Sequence, residues 1–320
     1  MKASMKRKIL AIVALAALAG CQTAEDKAKK EDEITRILMI GNSFSISCMT
    51  HLPKIAADCG EKIDLCSLYI GGCSLEKHVK NVRKELAEET KGEKGAYRYD
   101  RSTCGEPTVT LKNVRLTDAL KIAQWDVVTI QQASPLSWKS KSYEPWGDEL
   151  IATIRRFAPQ AKVVVHQTWS YTPFDARLRK WNLTQDQMFD FLSDAYGAFA
   201  KKRGLEVIPF GLAVQAWRRA LPVKYTDHSF GGDVVGGRCQ KEEDQFKRNA
   251  DLSWSPNSDT FHLNEKGEYF QALVWAKCLL GVDLDDFEDR PVCVTEDEDK
   301  LMRRIAKSVS KKEKKEEEEK

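Results

Sequence analysis

Ile37-Leu38-Met39-Ile40-Gly41-Asn42-Ser43-Phe44-Ser45 is the stretch on which the reading of the fold turns. Four apolar residues in succession, closed by a glycine and followed by polar residues and then a helical pattern, predict a buried parallel strand feeding a helix. Ser43 falls at the strand's carboxyl end, where open α/β sheets bind their ligands. At the first turn of the following helix its hydroxyl and its backbone N–H both face the cleft. That placement suits a nucleophile. Asn42 and Ser43 are also ordinary helix caps, so the stretch alone admits both readings.

Upstream, Lys2, Lys6, Arg7 and Lys8 precede an apolar run from Ile9 to Ala19 that is too short to span a bilayer and is flanked as a secretory signal. The run ends Leu18-Ala19-Gly20-Cys21, which resembles a bacterial lipobox. The resemblance implies a signal peptide over 1–20, lipidation of Cys21, and anchoring to a membrane surface of the cell envelope without a transmembrane helix. The charged stretch 21–33 then reads as a tether, and 310–320, almost wholly Lys and Glu, as a frayed helix or a disordered tail. The formal charge of +3 falls to about −1 without the leader's four basic residues, so nothing electrostatic points to nucleic acid. Eight cysteines besides Cys21 permit disulfides in an exported protein, but they show no metal-ligand spacing.

The domain between the tails, 34–309, repeats the opening pattern. Lys62 to Ile70 reads as a second strand ending in Gly71-Gly72-Cys73-Ser74, with Ser74 capping a helix to about Thr90. Tyr97 to Asn113 reads as a β-hairpin insertion. Asp126 to Gln132 is a third strand, ending in the amides Gln131 and Gln132 at the same edge; the loop Ala133 to Trp146, with Trp138, is placed to wall a pocket there. A fourth strand, Lys162 to Val165, delivers His166-Gln167-Thr168-Trp169, and Glu206 to Pro209 makes a fifth. Pro222 to Pro256 lacks periodicity and reads as an irregular lid-like insertion. These elements predict an α/β fold: a three-layer α/β/α sandwich on a central, mostly parallel five-stranded sheet.

The closing element is Asp259-Thr260-Phe261-His262-Leu263-Asn264, ahead of an amphipathic helix from Glu265 to Leu280. Asp and His three apart on a turn put both side chains on one side, with the carboxylate on one imidazole nitrogen and the other nitrogen free for a substrate. In that order, a Ser after the first strand, a Gly after the second, amides after the third and Asp-x-x-His before the last helix resemble the blocks of the SGNH (GDSL-like) hydrolases. The wording Ile-Gly-Asn-Ser-Phe-Ser, Gly-Gly-Cys-Ser-Leu-Glu, Gln-Gln-Ala-Ser, His-Gln-Thr-Trp and Asp-x-Phe-His-Leu looks like the bacterial subgroup DUF4886. The resemblance runs from Ile37 to Leu280.

The resemblance implies a flavodoxin-like sheet, with Ser43 as nucleophile, His262 as general base and acid, Asp259 as its partner, and the N–H groups of Ser43 and Gly72 as oxyanion donors. It implies no metal or organic cofactor. Asn42 stands where the family has Asp, and Gln131-Gln132 stand where it has Gly-x-Asn-Asp, so Gln132, or else Gln131, is expected to supply the third oxyanion donor. Asn42, His166 and Trp169 are expected to touch substrate. The implied activity is hydrolysis of an acyl ester through a Ser43 acyl-enzyme, first of all an acetyl ester on a carbohydrate, with Trp138, Trp146 and Trp169 on cleft-edge loops for stacking. A lipid or other acyl ester, or a non-catalytic glycan-binding lipoprotein on the same scaffold, are the alternatives.

Overall fold

The computed structural model describes residues 34–87, 92–103, 108–221, 232–236, 246–248, 254–256 and 259–318. Ile37, Leu38, Met39 and Ile40 are all buried, as a strand covered on both faces must be. They form β1 (Thr35–Gly41), followed along the chain by β2 (Ile63–Tyr69), β3 (Tyr97–Thr103), β4 (Val109–Val114), β5 (Val127–Ile130), β6 (Lys162–His166) and β7 (Glu206–Ile208). The seven make one sheet in the order β4-β3-β2-β1-β5-β6-β7. β2 and β5 pair with β1 in parallel on its two sides, and β6 and β7 extend the parallel run. The chain steps from β1 to β2 and then back across β1 to β5. The strand order therefore reverses at β1, and the crevice beyond its carboxyl end is the ligand position of such a sheet.

The helices are α1 (Ser43–Ile46), α2 (Leu52–Asp58), α3 (Leu75–Leu86), α4 (Leu116–Ala119), α5 (Trp146–Phe157), α6 (Ala176–Trp181), α7 (Gln185–Arg203), α8 (Phe210–Ala220), α9 (Glu265–Trp275) and α10 (Glu296–Glu318). The three-layer expectation holds, with three differences of physical interest.

First, the hairpin is not an appendage. β3 pairs antiparallel with β2, burying Tyr97 and Tyr99, while Arg101 donates from Nε and Nη2 to the two oxygens of Asp64, each at 2.7 Å. The sheet thus has seven strands instead of five, with β4 as an exposed edge. Second, the helical pattern that follows the first strand is broken into α1, a 3₁₀ turn Ser47–Thr50, and α2. Pro53, in the first turn of α2, has no N–H to continue a helix through 50–53.

Third, α9 is buried nearly all round, with only Glu265, Lys266 and Glu268 of its eleven residues not buried. Its outer side is covered by α10, which the sequence reading does not contain. Met302, Ile305, Ala306 and Val309 recur at helical spacing on α10, and its Arg303 donates to Asp299 and to the Tyr269 hydroxyl of α9. α10 continues to Glu318, through most of the expected tail. Of the expected lid, 232–236 and an antiparallel pair, β8 (Phe246–Arg248) and β9 (Trp254–Pro256), are described; the rest of it, the leader and the tether lie outside the described residues. Cys48, Cys59, Cys66, Cys73 and Cys293 are free thiols.

Candidate active site

Gly41 ends β1 without a side chain for a steric reason: a Cβ there would lie 2.4 Å from Ser45 Oγ and 3.2 Å from Gln131 Cδ. Asn42 then caps α1. Its carbonyl accepts from Ser45 N and Ile46 N, and its Oδ1 accepts from Phe44 N at 3.0 Å. Among the described residues no acceptor takes the N–H of Ser43. Ser43 is therefore both first residue and free donor of the helix, with its hydroxyl hydrogen-bonded to His262 Nε2 at 2.8 Å.

His262 lies 219 positions along the chain from Ser43. Two strips of chain hold it in place. On one side Gly236 N donates to His262 O, and Asn264, the N-cap of α9, donates to the carbonyls of Asp233 and Gly236. On the other, Thr172 N donates to Thr260 O, Trp169 Nε1 donates to Phe261 O at 2.8 Å, and Thr260 Oγ1 donates to Asp175 at 2.6 Å. The imidazole Nδ1 meets Asp259 Oδ2 at 3.1 Å, while Asp259 Oδ1 accepts from the backbone N–H of His262 at 3.0 Å. Burial pushes the Asp259 carboxyl up, but the hydrogen bonds from the His262 ring and from the His262 and Phe261 amides outweigh it and hold the group below its ordinary value. Asp259 is thus ionised throughout the neutral range, which selects the Nδ1–H tautomer of His262 and leaves Nε2 to accept the Ser43 proton.

The second turn brought to this edge is Tyr69 to Ser74. Tyr69 is level with Gly41 in the sheet, and Ile70 N donates to Gly41 O. Gly72 is exposed in the left-handed region, φ 59°, and its N–H has no acceptor among the described residues. Two unoccupied backbone donors, on Ser43 and Gly72, thus stand on adjacent turns.

Six expectations are corrected. Gln132 is not a free donor: its amide nitrogen donates to Ser142 O at 2.8 Å and Ser142 Oγ at 3.0 Å, and its Oε1 accepts from Leu75 N and Ala133 N. Gln131 Nε2 donates to Asn42 Oδ1 at 2.7 Å, and its Oε1 faces His166 Nδ1 at 2.7 Å. Asn42, 1% exposed, donates to Cys73 O instead of meeting a substrate. His166 and Trp169 are fully buried. Trp169 stacks on Phe44 at 4.1 Å between ring centroids, so it supports the residue after Ser43 and, through Phe261, the residue before His262. Trp146 packs toward α3, under Arg83, rather than lining the crevice. Trp138 remains at the surface, half-buried.

These buried groups form one continuous chain beneath Ser43, which sequence reasoning did not see. Gln271 of α9 donates to Phe44 O at 2.8 Å and meets His166 Nε2 at 3.3 Å, while Ser47 Oγ donates to Gln271 Oε1 at 2.6 Å. The donors order themselves in one direction: Gln271 to His166 Nε2, His166 Nδ1–H to Gln131, Gln131 to Asn42, Asn42 to Cys73 O. That order requires a neutral His166, and burial indeed pushes its pKa down to about 3.

His78 is likewise buried and held at about 3, by burial first and Lys77 second. An unfolded histidine takes its proton near pH 6.5. The folded state refuses it until about 3. Each histidine therefore adds stability that is present above about 6.5 and is lost at about 1.4 kcal/mol per unit as the pH falls below it. Thermal melts should show Tm dropping steeply from pH 6.5 to 4.5, and a His78→Phe variant should flatten that slope by about half.

The sequence model of DUF4886, a domain of unknown function, matches residues 36–231, and that of the prokaryotic membrane lipoprotein lipid attachment site matches residues 5–22. The lipid attachment match makes the chain a lipid-anchored envelope protein; among the described residues no helix is long and apolar enough to cross a membrane. The structure is similar to that of a DUF4886 family protein from Bacteroides uniformis, with TM-score 0.70 and 25% identity over 87% of this chain and 95% of that one. It is more distantly similar to a candidate SGNH hydrolase from Slackia heliotrinireducens, at TM-score 0.44 and 19% identity over 77% of this chain and 98% of that one. A family 3 carbohydrate esterase from Clostridium thermocellum has TM-score 0.39 and 14% identity, over 77% of this chain and 94% of that one. No curated protein matches the sequence.

Proposed function

From the premise that the chain belongs to the DUF4886 family, we propose that it is an envelope-anchored serine esterase of the SGNH kind, hydrolysing an acyl ester, most simply an acetyl group on a carbohydrate. The observation that carries the reading is the unbroken line Ser43 Oγ, His262 Nε2, His262 Nδ1, Asp259 Oδ2, at 2.8 and 3.1 Å. Nucleophile, base and orienting carboxylate are in hydrogen-bond order, with unoccupied N–H donors beside the nucleophile.

His262 Nε2 takes the Ser43 proton as Oγ adds to the ester carbonyl. The oxyanion faces the N–H groups of Ser43 and Gly72. The alcohol leaves with the proton from Nε2, giving an acyl-Ser43 ester. Water then adds with its proton passing to Nε2, and the acid departs as Oγ is reprotonated. With the two glutamines committed elsewhere, the oxyanion hole contains backbone donors only. It lacks the side-chain donor whose removal in other acyl-transfer enzymes slows kcat by about 10²–10³, so a modest turnover number is expected.

The test is covalent labelling of the full chain in detergent with a fluorophosphonate, with acetate release from p-nitrophenyl acetate on the same sample. Stoichiometric labelling at Ser43, located by peptide mass spectrometry, is the expected result. A folded protein that neither labels nor turns over the ester would sink the enzyme and favour the glycan-binding alternative.

A further inference from the structure

Phe261 ties the base to a surface that the esterase reading leaves without a task. Its ring packs against the His262 imidazole at 4.0 Å, and from it aromatic rings continue outward through Tyr171 at 5.6 Å, Trp181 at 5.8 Å and Trp138 at 5.5 Å. Phe261, Trp181 and Trp138 are half-buried, so each keeps part of its side chain in solvent. Cations lie on both ends of this line. The Arg177 guanidinium sits 4.1 Å from the ring centroids of both Tyr171 and Phe261, and Lys139 Nζ lies 4.9 Å from that of Trp138.

The charge balance is one-sided. The two segments that build this surface, 131–143 and 176–184, contain Lys139, Lys141, Arg177, Arg179 and Lys180 and no Asp or Glu. Arg177 is paired with Asp175, but through Nε and Nη2 only. Its Nη1 has no partner among the described residues, and its side chain is 34% exposed. Lys180 stands three residues after Arg177 on α6, on the same face, and Trp181 four after it. The carboxylates that act on Arg177 are Asp175 and Asp259, the latter already engaged by His262, and Glu144, just past the first segment, is engaged by Lys202 and Arg203.

Exposed aromatic faces stack on the apolar faces of sugar rings. Cations beside them favour anionic groups, and the surrounding positive potential steers a polyanion toward the crevice. We infer that the Phe261–Trp181–Trp138 surface, with Arg177, Lys139 and Lys180, is a subsite for a carboxylate-bearing glycan, presenting its acyl ester to Ser43. This rests on the esterase reading for its catalytic part only.

Retention and kinetics test it separately. The full chain carrying Ser43→Ala, in detergent, is run through gels containing polygalacturonate, xylan or polyphosphate. Retardation by polygalacturonate beyond that by the other two is expected, weakened by Trp138→Ala and by molar salt. The wild-type chain is then compared on acetylated polygalacturonate and acetylated xylan. The ratio of their kcat/KM values should favour the acidic polymer, fall by about tenfold in Lys139→Glu/Lys180→Glu, and be unmoved in Lys201→Glu on α7. Equal retardation by polyphosphate would reduce the surface to a general anion patch, and a ratio indifferent to the charge reversals would remove it from substrate choice; either overturns the inference. Absence of acetate release with selective retardation intact would remove the esterase and leave the acidic-glycan subsite standing.

Discussion

Ser43→Ala and His262→Ala are each expected to lower kcat/KM for p-nitrophenyl acetate by about 10⁴-fold or more, with the double variant no slower than either single one. Non-additivity is the informative part. Ser43 Oγ and His262 Nε2 share one proton across 2.8 Å, so removing either ends the same step. Asp259→Asn makes a sharper case. Asp259 Oδ1 is fixed by the backbone N–H groups of His262, at 3.0 Å, and Phe261, at 3.4 Å. An asparagine would keep its carbonyl on those donors and turn its NH₂ toward His262 Nδ1. The imidazole would then carry its proton on Nε2, aimed at the hydroxyl it must deprotonate. A loss of about 10³–10⁴ in kcat is expected, with melting temperature nearly unchanged. Kinetics and thermal melts on the four variants decide it, and additive losses in the double variant would mean that the groups do not act as a unit.

The Ser43–His262–Asp259 arrangement was legible in the sequence because each half has a local cause. A strand end followed by Asn-Ser and a helical pattern places Ser43; Asp-x-x-His ahead of a helix places Asp259 and His262 on one turn. Neither needs knowledge of what packs above it. His166 and Trp169 show where that logic stops. They are on the predicted edge of the sheet, yet β6 lies between β5 and β7, and the Trp275 ring of α9 comes within 4.9 Å of His166. Strand-end position fixes the edge; only the packing of α9, about a hundred residues later, decides whether the side chain faces a crevice or an interior. The same holds for Gln131 and Gln132, whose amides were taken up by Asn42 and Ser142.

Gln271 carried a signal that went unused, a single amide within Tyr269-Phe270-Gln271-Ala272-Leu273-Val274-Trp275. A polar residue in such a run needs a partner once buried. α10 was hidden by its charge: its apolar face is Met302, Ile305, Ala306 and Val309 within a stretch dominated by Lys, Arg, Asp and Glu. The hairpin was recognised as a hairpin, but its membership of the main sheet depends on Asp64 pairing with Arg101 across strands distant in sequence.

Asn42→Asp, which would restore the commoner SGNH wording at the nucleophile, is expected to slow this protein. In the present arrangement Asn42 is both acceptor and donor: Oδ1 takes Phe44 N and Gln131 Nε2, and Nδ2 gives to Cys73 O at 3.0 Å. A carboxylate keeps the first role and loses the second, leaving the buried Cys73 carbonyl facing negative charge. Cys73 follows Gly72, so the expected consequence is a shift of one of the two oxyanion donors, with kcat down by about 10²-fold and KM little altered. His166→Leu attacks the same chain from its far end. It leaves Gln131 Oε1 and one Gln271 N–H without partners in the interior, for a destabilisation of about 2–4 kcal/mol and a fall in kcat of similar size to that of Asn42→Asp. His166→Asn can return a donor to Gln131 but offers Gln271 nothing, so it should recover part of kcat while remaining less stable than wild type. Urea melts and steady-state kinetics on the three variants separate the two effects. If kcat follows stability alone, with His166→Asn no faster than His166→Leu, the chain of amides holds the interior together and does not aim the nucleophile turn. If kcat follows the donor to Gln131, the polar interior has taken over the positioning of an oxyanion hole that has no side-chain donor of its own.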